Sequence, residues 1–220
     1  MAAIKKHVLT RRQQKYIRIK RILDLGMASA ATVILSPVLL GISIAIRLDS
    51  PGPVFFRQKR VGIHKTYFTI YKFRTMRTDT PKDMPTHLLK DPDAFLTRTG
   101  RFLRKTSLDE LSQLFNILKG DMSFVGPRPA LWNQEDLVAE RERYGANDVL
   151  PGLTGWAQIN GRDELEIPVK ARLDGQYVRR MSFWFDVRCF LGTFGAVAKA
   201  DGVVEGGTGR MKGKRNGKNL

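Results

Sequence analysis

The chain has 220 residues, which is enough for one domain with appendages and a substantial core. Its single cysteine, Cys189, excludes an internal disulfide and any cysteine-based metal cage. The formal net charge of +17 indicates a polyanionic partner, which is a nucleic acid, an anionic lipid or a phosphorylated substrate.

The chain begins with a basic segment, residues 1–21, that contains many lysines and arginines and no acidic residue. A hydrophobic segment, residues 22–48, follows it, and the stretch from Leu25 to Ile46 contains no charged side chain. That stretch is about long enough to cross a bilayer as a helix. The sequence therefore predicts a membrane helix here, with a buried helix of a soluble core as the alternative.

The Ser36–Pro37 pair lies near the middle of the hydrophobic segment and predicts a bend in the helix. Proline cannot donate to the carbonyl of Val33, and its ring clashes there, while the serine hydroxyl can bond back to a carbonyl one turn earlier. Basic residues flank the segment on both sides, whereas a crossing helix normally has that bias on one side only. The pattern favours a reentrant helix that returns to the cytoplasm, and a proline-kinked crossing helix is the alternative. The basic residues on the far side are Arg47, Arg57, Lys59, Arg60 and Lys65.

Beyond residue 48 the sequence predicts turns, a strand and further helices. Alternating aromatic and β-branched residues predict a strand over Tyr67–Met76. Residues 78–98 are polar and rich in proline, which predicts a loop or lid. The basic, glycine-rich tail, residues 201–220, is expected to be disordered because it cannot bury enough apolar surface. Helices are expected over Trp132–Tyr144, Ile167–Met181 and Ser182–Ala200.

The stretch from Thr106 to Pro129 places two adjacent carboxylates, Asp109 and Glu110, at the start of a segment with leucines at helical spacing. Ser107 is suited to cap such a helix, and Glu110 three residues later completes a capping box. Asp109 has no part in that cap. We expect it on the polar side of the helix, beside first-turn N–H groups that bind phosphate well. The two acids therefore either only start a helix or also perform chemistry.

The segment Ser182–Ala200 combines many aromatic residues with an internal carboxylate, Asp186. The aromatic residues belong either to the core or to a membrane interface, where aromatic side chains with nearby arginines are favoured. We expect Phe183, Trp184 and Phe185 to lie in the interface. A carboxylate in such a segment is costly unless it is paired or faces a polar site, so Asp186 is a candidate site residue turned inward.

A series of motifs along the chain resembles one known family. In chain order they are LSPVLL, SPGPVFFRQKRVG, YKFRTM, LRKTSLDELSQLFNILKGDMSFVGPRP, PGLTGWAQINGR and SFWFDV. Over residues 18–200 the chain is similar to the bacterial sugar transferases, the monotopic phosphoglycosyl transferases. The resemblance implies a mainly helical α/β fold with a reentrant membrane helix that turns at Ser36 and Pro37. It also implies a small cytosolic catalytic domain, residues 49–200, with interfacial amphipathic helices and a short strand region.

The resemblance also implies a reaction. A sugar-1-phosphate is expected to move from a nucleotide-diphosphate sugar to undecaprenyl phosphate, with UMP released when the donor is a UDP-sugar. Asp109 is expected to be the nucleophile that forms a covalent phosphosugar intermediate, and Asp109 and Glu110 are expected to bind the required Mg²⁺. The residues expected to bind substrate are Arg104, Arg128, Arg162 and Asp186.

The same resemblance implies partners and a location. A UDP-N-acetylhexosamine or a related UDP-sugar is the expected donor, and the cytoplasmic face of the bacterial inner membrane is the expected location. Downstream glycosyltransferases are further expected partners. A nucleic-acid-binding protein is a competing class, but it would not explain the uncharged segment, and the sequence has no helix-turn-helix, RNP or zinc pattern. A non-catalytic membrane scaffold is another alternative, and it would leave Asp109, Arg128 and Asp186 without a role.

Overall fold

Within the described residues, 8–80, 92–161 and 165–198, this computed structural model is mainly helical with two small sheets. The helices are α1 (Arg11–Ile34), α2 (Ser36–Asp49), α3 (Arg98–Thr106), α4 (Leu114–Lys119), α5 (Glu135–Glu142), α6 (Trp156–Ile159), α7 (Ile167–Arg180) and α8 (Phe183–Ala198). Short 3₁₀ helices span Ile63–Lys65, Pro92–Phe95 and Leu108–Gln113. The strands are β1 (Phe55–Val61), β2 (Tyr67–Phe73), β3 (Ser123–Val125) and β4 (Gly152–Thr154). The predicted mainly helical fold with a short strand region is confirmed for these residues.

α1 and α2 meet at a sharp bend of 62°. The Ser36 hydroxyl donates to the carbonyl of Val33 at 2.7 Å. Pro37 lies in the first turn of α2, where its missing N–H would have had no partner within the helix. The bend predicted at Ser36–Pro37 is therefore confirmed, and its cause is the local chemistry of that pair.

The length and composition of the helices bear on the membrane prediction. In the described part of the chain, no helix alone has the length and apolar character needed to span a bilayer, but α1 and α2 reach that threshold together as a bent pair. Several large apolar side chains on either side of the bend are exposed, among them Val33, Ile34 and Leu40. The reentrant topology stays a prediction.

The first half of α1 is docked on the rest of the protein. Near its beginning, Gln13 Nε2 donates to the carbonyl of Val178 at 2.6 Å. Two turns later, Arg21 Nη1 donates to the carbonyl of Ile117 at 2.6 Å. α1 runs without a break from Arg11 in the predicted basic segment to Ile34 in the predicted hydrophobic one, so these parts of the two segments form one helix.

The strands form two separate pairs. β1 and β2 form an antiparallel hairpin with Phe55 opposite Phe73, which confirms the predicted strand, although β2 ends at Phe73 rather than Met76. β3 and β4 form a parallel pair with Ser123 opposite Gly152. A cluster of buried apolar residues packs around α4, α7, α8 and β3, and a second one joins α2 to β2 and α3.

The helices expected in the second half of the chain are present as α5, α7 and α8, each shorter than the predicted range. Part of the predicted loop at residues 78–98 and the whole basic tail, residues 201–220, lie outside the described residues.

Candidate active site

Ser107 ends α3 instead of capping a helix that begins with the acids. Its backbone is left-handed, with φ 57° and ψ 18°, and its side chain makes no capping hydrogen bond. Asp109 and Glu110 lie in the six-residue 3₁₀ helix Leu108–Gln113, here called the acidic segment, which precedes the short α4. The predicted single α-helix with a capping box is wrong, because a residue in the left-handed region ends a helix. The N–H of Glu110 instead donates to the backbone carbonyl of Ser107 at 3.3 Å.

The acidic segment and α4 are fixed to β2 by hydrogen bonds. Ser112 Oγ donates to the carbonyl of Tyr71 at 3.0 Å. Asn116 Oδ1 accepts from the N–H of Tyr71 at 2.9 Å, and its Nδ2 donates to the carbonyl of Thr69 at 2.7 Å. Asp109 is only 6% exposed, so its carboxylate is largely shielded from solvent. Since a 3₁₀ segment this short has no extended dipole, a phosphate at this site would have to be bound mainly by cationic side chains.

Glu110 lies between two such cations. Its Oε1 accepts from Lys72 Nζ at 3.0 Å and from Arg128 Nη2 at 2.9 Å. Both contacts are ion pairs, and charge-assisted hydrogen bonds of this kind are stronger than neutral ones. The structure therefore brings two predicted site residues, Glu110 and Arg128, into direct contact and adds Lys72 to them.

The sequence pattern alone does not single out Lys72, which lies in the motif YKFRTM. A signal for it is present in β2. Residues two apart in a strand share a face, and Ile70 on the same face as Lys72 is buried in the core. A lysine at the next inward position is itself buried and needs an anionic partner, which is Glu110.

Arg128 is presented by the GPRP turn, which is tied to the parallel strand pair. The N–H of Gly126 donates to the carbonyl of Thr154 at 2.8 Å, and the N–H of Gly152 donates to the carbonyl of Pro127 at 2.9 Å. The two backbones lie so close that a Cβ on Gly152 would be 2.1 Å from the nitrogen of Gly126. Because Gly126 and Gly152 have no side chains, the two backbones can approach each other closely. This contact fixes the orientation of the GPRP turn.

Arg104 lies in the last turn of α3, directly before the acidic segment. Its Nε donates to Thr75 Oγ1 at 3.0 Å. Thr75 follows β2, so the end of this strand supports Arg104 as well as supplying Lys72. Arg162 lies outside the described residues, and its role stays a prediction.

Asp186 belongs to a separate cluster that joins α1, α7 and α8. Its carboxylate accepts from Tyr16 Oη at 2.6 Å and from Tyr177 Oη at 2.9 Å, and it forms an ion pair with Lys20. Burial, reinforced by the nearby carboxylate, raises the pKa of Tyr177, which therefore stays a proton donor at neutral pH. In the structure Asp186 is a contact between helices, and its predicted part in substrate binding stays a prediction.

The aromatic residues at the start of α8 are divided between surface and core. Phe183 and Trp184 are exposed, Trp184 by 77%. Phe185 is buried, with its ring centroid 5.0 Å from that of Trp156 and 6.1 Å from that of Tyr177. The prediction that Phe185 lies in a membrane interface is wrong, because this position packs into the core.

The donor set of the acidic segment suits a magnesium ion. Asp109 and Glu110 offer hard carboxylate oxygens, and Mg²⁺ typically binds one or two carboxylates while keeping waters and substrate phosphates in its shell. Among the residues that the structure describes, no group of three His, Cys, Asp or Glu residues could hold a metal ion. Binding of Mg²⁺ by Asp109 and Glu110 therefore stays a prediction.

Comparison with known proteins identifies the family to which the chain belongs. The model of the bacterial sugar transferase family matches residues 15–200. The chain belongs to the bacterial sugar transferase family. The matched range contains the bend, the acidic segment, Lys72, Arg104, Arg128 and Asp186, so the resemblance seen in the motifs is confirmed.

Three relatives show the extent of the similarity. The "uncharacterized sugar transferase EpsL" of Bacillus subtilis (strain 168) is 43% identical over 85% of this chain and 91% of its own length. A UDP-glucose:undecaprenyl-phosphate glucose-1-phosphate transferase of Escherichia coli (strain K12) is 41% identical over 83% of this chain. A UDP-N-acetylgalactosamine-undecaprenyl-phosphate N-acetylgalactosaminephosphotransferase of Aeromonas hydrophila is 39% identical over 78% of this chain. This family member spans only 41% and 42% of the length of the latter two relatives.

Proposed function

We propose that this sugar transferase moves a sugar-1-phosphate from a UDP-sugar to undecaprenyl phosphate through a covalent intermediate on Asp109. The names of two relatives support the overall transfer. The proposal rests mainly on the geometry of the acidic segment. There, the nearly buried Asp109 adjoins Glu110, and the carboxylate of Glu110 binds Lys72 and Arg128. Phosphoryl transfer depends on positioning and charge neutralisation more than on acid–base work, and this arrangement offers both.

In the first step, a carboxylate oxygen of Asp109 attacks the phosphorus that carries the sugar. The bond from that phosphorus to the bridging oxygen of the diphosphate breaks, and UMP leaves with the electron pair. An aspartyl phosphosugar remains on the protein. The hydrogen bonds that tie the acidic segment to β2 hold the nucleophile in place, which lowers the entropic part of the barrier.

In the second step, a phosphate oxygen of undecaprenyl phosphate attacks the same phosphorus. The acyl-phosphate bond to Asp109 breaks, the carboxylate is regenerated and a polyprenyl-diphosphate sugar is released. Splitting one displacement into two lets the soluble donor and the lipid acceptor react in turn at one position.

The cationic side chains around the acidic segment neutralise the substrate phosphates. A guanidinium binds phosphate oxygens through its planar fork, and Arg128 is already oriented by Glu110. Arg104, directly before the acidic segment, and Arg162 act with it in this proposal. Asp109 and Glu110 would hold Mg²⁺, which would supply further neutralisation of the diphosphate charge.

In this proposal the part of the α1–α2 pair around the bend, residues 22–48, lies in the cytoplasmic leaflet as a reentrant element of the bacterial inner membrane. The exposed apolar side chains beside the bend support this placement, since lipid would cover them. The lipid acceptor and the cytosolic donor then meet at the membrane surface. The donor is proposed to be a UDP-hexose or UDP-N-acetylhexosamine.

A panel of UDP-sugars, each with undecaprenyl phosphate and Mg²⁺, tests the function through UMP release by the purified protein. The expected result is continuous release with one donor class, dependent on the lipid, abolished by a chelator and restored by Mg²⁺. An Asp109→Asn variant serves as the control for contaminating hydrolases. Absence of UMP release with every donor would favour the scaffold alternative.

A further inference from the structure

The end of the bent helix pair is tied to the end of β2 and to α3, which flank the acidic segment, through a few partly buried polar contacts. α2, β2 and α3 meet at what we call the exit junction, which consists of Asp49–Pro51, Arg74–Thr75 and Thr97–Gly100. The proposed function does not use the contacts in this junction, except that Thr75 also supports Arg104.

Arg74 is the centre of the exit junction and is only 5% exposed. Its Nη1 donates to the carbonyl of Pro51 at 2.7 Å, and its Nη2 donates to the carbonyl of Ser50 at 2.7 Å and to Ser50 Oγ at 2.8 Å. A planar guanidinium binds the two carbonyls from two separate nitrogens in a fixed geometry, which the single nitrogen of a lysine cannot reproduce. Gly52 leaves room for it, because a Cβ there would lie 2.2 Å from Arg74 Nη1.

A second tie joins the same helix end to α3. Asp49 Oδ2 accepts from the N–H of Thr99 at 2.8 Å, and this hydrogen bond lowers the pKa of Asp49. α3 in turn rests on the end of β2, since a Cβ on Gly100 would lie 1.9 Å from the carbonyl oxygen of Thr75. The three elements are thus closed into one junction.

The residues at the end of β2 and just after it contact both α2 and the side chains of the candidate active site. Lys72 binds Glu110 and Thr75 binds Arg104, while Arg74 lies between them in the chain. Residues two apart in a strand are separated by only about 7 Å. Any movement of α2 relative to Arg74 therefore changes where the helix pair lies relative to the acidic segment.

We propose that Arg74 is a positioning residue for the lipid half of the reaction, because it fixes the exit of the bent helix pair relative to Asp109. This rests on the proposed function. The soluble donor reaches Asp109 from water, so the first step does not depend on where the helix pair lies. The lipid phosphate arrives with the membrane, so the second step depends on it.

Arg74→Lys tests this inference, because it keeps the charge and removes the fork. Two rates are measured on the same preparation: formation of the phosphosugar adduct on Asp109 with donor alone, and discharge of that adduct by undecaprenyl phosphate. We expect adduct formation to be retained and discharge to slow by roughly 10- to 100-fold, the size of effect that a misplacement of about 1 Å can have. Arg77→Lys, at an exposed arginine paired with Asp79, is the matched control and should change neither rate.

An equal loss of both rates, or no change in either, would overturn the positioning role. If Arg74→Lys does not fold, Asp49→Ala removes the acceptor of the Thr99 N–H and should slow discharge selectively but less. If that variant also fails to fold, the junction is merely structural and the inference is wrong. If the wild-type protein forms no adduct at all, the proposed function is contradicted instead. Failure of the positioning role and failure of the proposed function can therefore be distinguished.

Discussion

At Glu110, two cations share one carboxylate oxygen, and Lys72 is the more buried of the two. Lys72→Met would remove a fixed positive charge from the site while Arg128 still pairs with Glu110, so the fold should be retained. We expect kcat to fall by about 10²-fold, comparable to the loss of one preorganised electrostatic contact. Steady-state UMP release measures this, with Lys119→Met at an exposed lysine as the control and Lys72→Arg as a partial rescue. Wild-type kcat in Lys72→Met would show that this cation has no part in the reaction.

The position of Asp109 and Glu110 in the sequence made them candidates, and the family resemblance added Arg128, but neither predicted their setting. Serine is a good helix cap and seldom adopts a positive φ, so the sequence favours Ser107 as the start of a helix. Its left-handed conformation depends on how α3 and the acidic segment pack against β2, which is tertiary information. For the same reason, the burial of Asp109 could not be read from the spacing of the leucines.

At the scale of the helices, the cluster around Asp186 makes a second prediction. Asp186→Asn would remove the carboxylate that pairs with the largely buried Lys20 and accepts from Tyr16 and Tyr177, and breaking a buried pair in this way costs about 3–5 kcal/mol. We expect the free energy of unfolding to fall by about that amount, measured by chemical denaturation in detergent. Lys20→Met, which leaves Asp186 with its two tyrosine donors, should have a smaller effect. Unchanged stability with lost activity would instead support the predicted role of Asp186 in substrate binding.

The bend between α1 and α2 makes a third prediction, which concerns topology. Arg18 and Lys65 are exposed on opposite sides of the hydrophobic segment, and cysteines at both should resist a membrane-impermeant thiol reagent applied to intact cells. Native Cys189 can stay, because it is buried and burial raises its thiol pKa to about 12. Replacing Ser36 with Ala and Pro37 with Leu should straighten the helix, expose one cysteine to the reagent and abolish activity. Labelling of either cysteine in the protein with the native bend would mean that the helix crosses the membrane.

The bent end of α1 and its docked first half differ in how far their structure could be predicted from the sequence. The bend follows from the local chemistry of Ser36 and Pro37, so it was predictable. The docking of the first half was not, because it depends on contacts such as Gln13 with Val178, which are 165 positions apart in the chain. Lysines and arginines at the beginning of a hydrophobic segment suggest only a solvated flank.

At the scale of the whole molecule, the exposed aromatic residues at the start of α8 bear on the proposed contact between the protein and the membrane. Burial of each large side chain contributes roughly 1.5–3 kcal/mol, so Phe183 and Trp184 together could fix the depth of the catalytic domain. Changing both to serine should raise the KM for undecaprenyl phosphate and leave donor-only labelling of Asp109 largely intact. Tyr67→Ser, at an exposed aromatic residue on the β1–β2 hairpin, is the control. If labelling falls in parallel with turnover, the two aromatic residues are needed for the fold instead.

The central claim is that Asp109 carries the sugar-phosphate between donor and acceptor. Its most direct test is mass spectrometry of the protein after incubation with donor and Mg²⁺ in the absence of lipid. We expect the added mass of one phosphosugar on the peptide that contains Asp109, and its disappearance when undecaprenyl phosphate is supplied. Asp109→Asn should show no adduct, and its turnover should fall by about 10³-fold or more. An adduct on another residue, or an active enzyme that never forms one, would contradict the account.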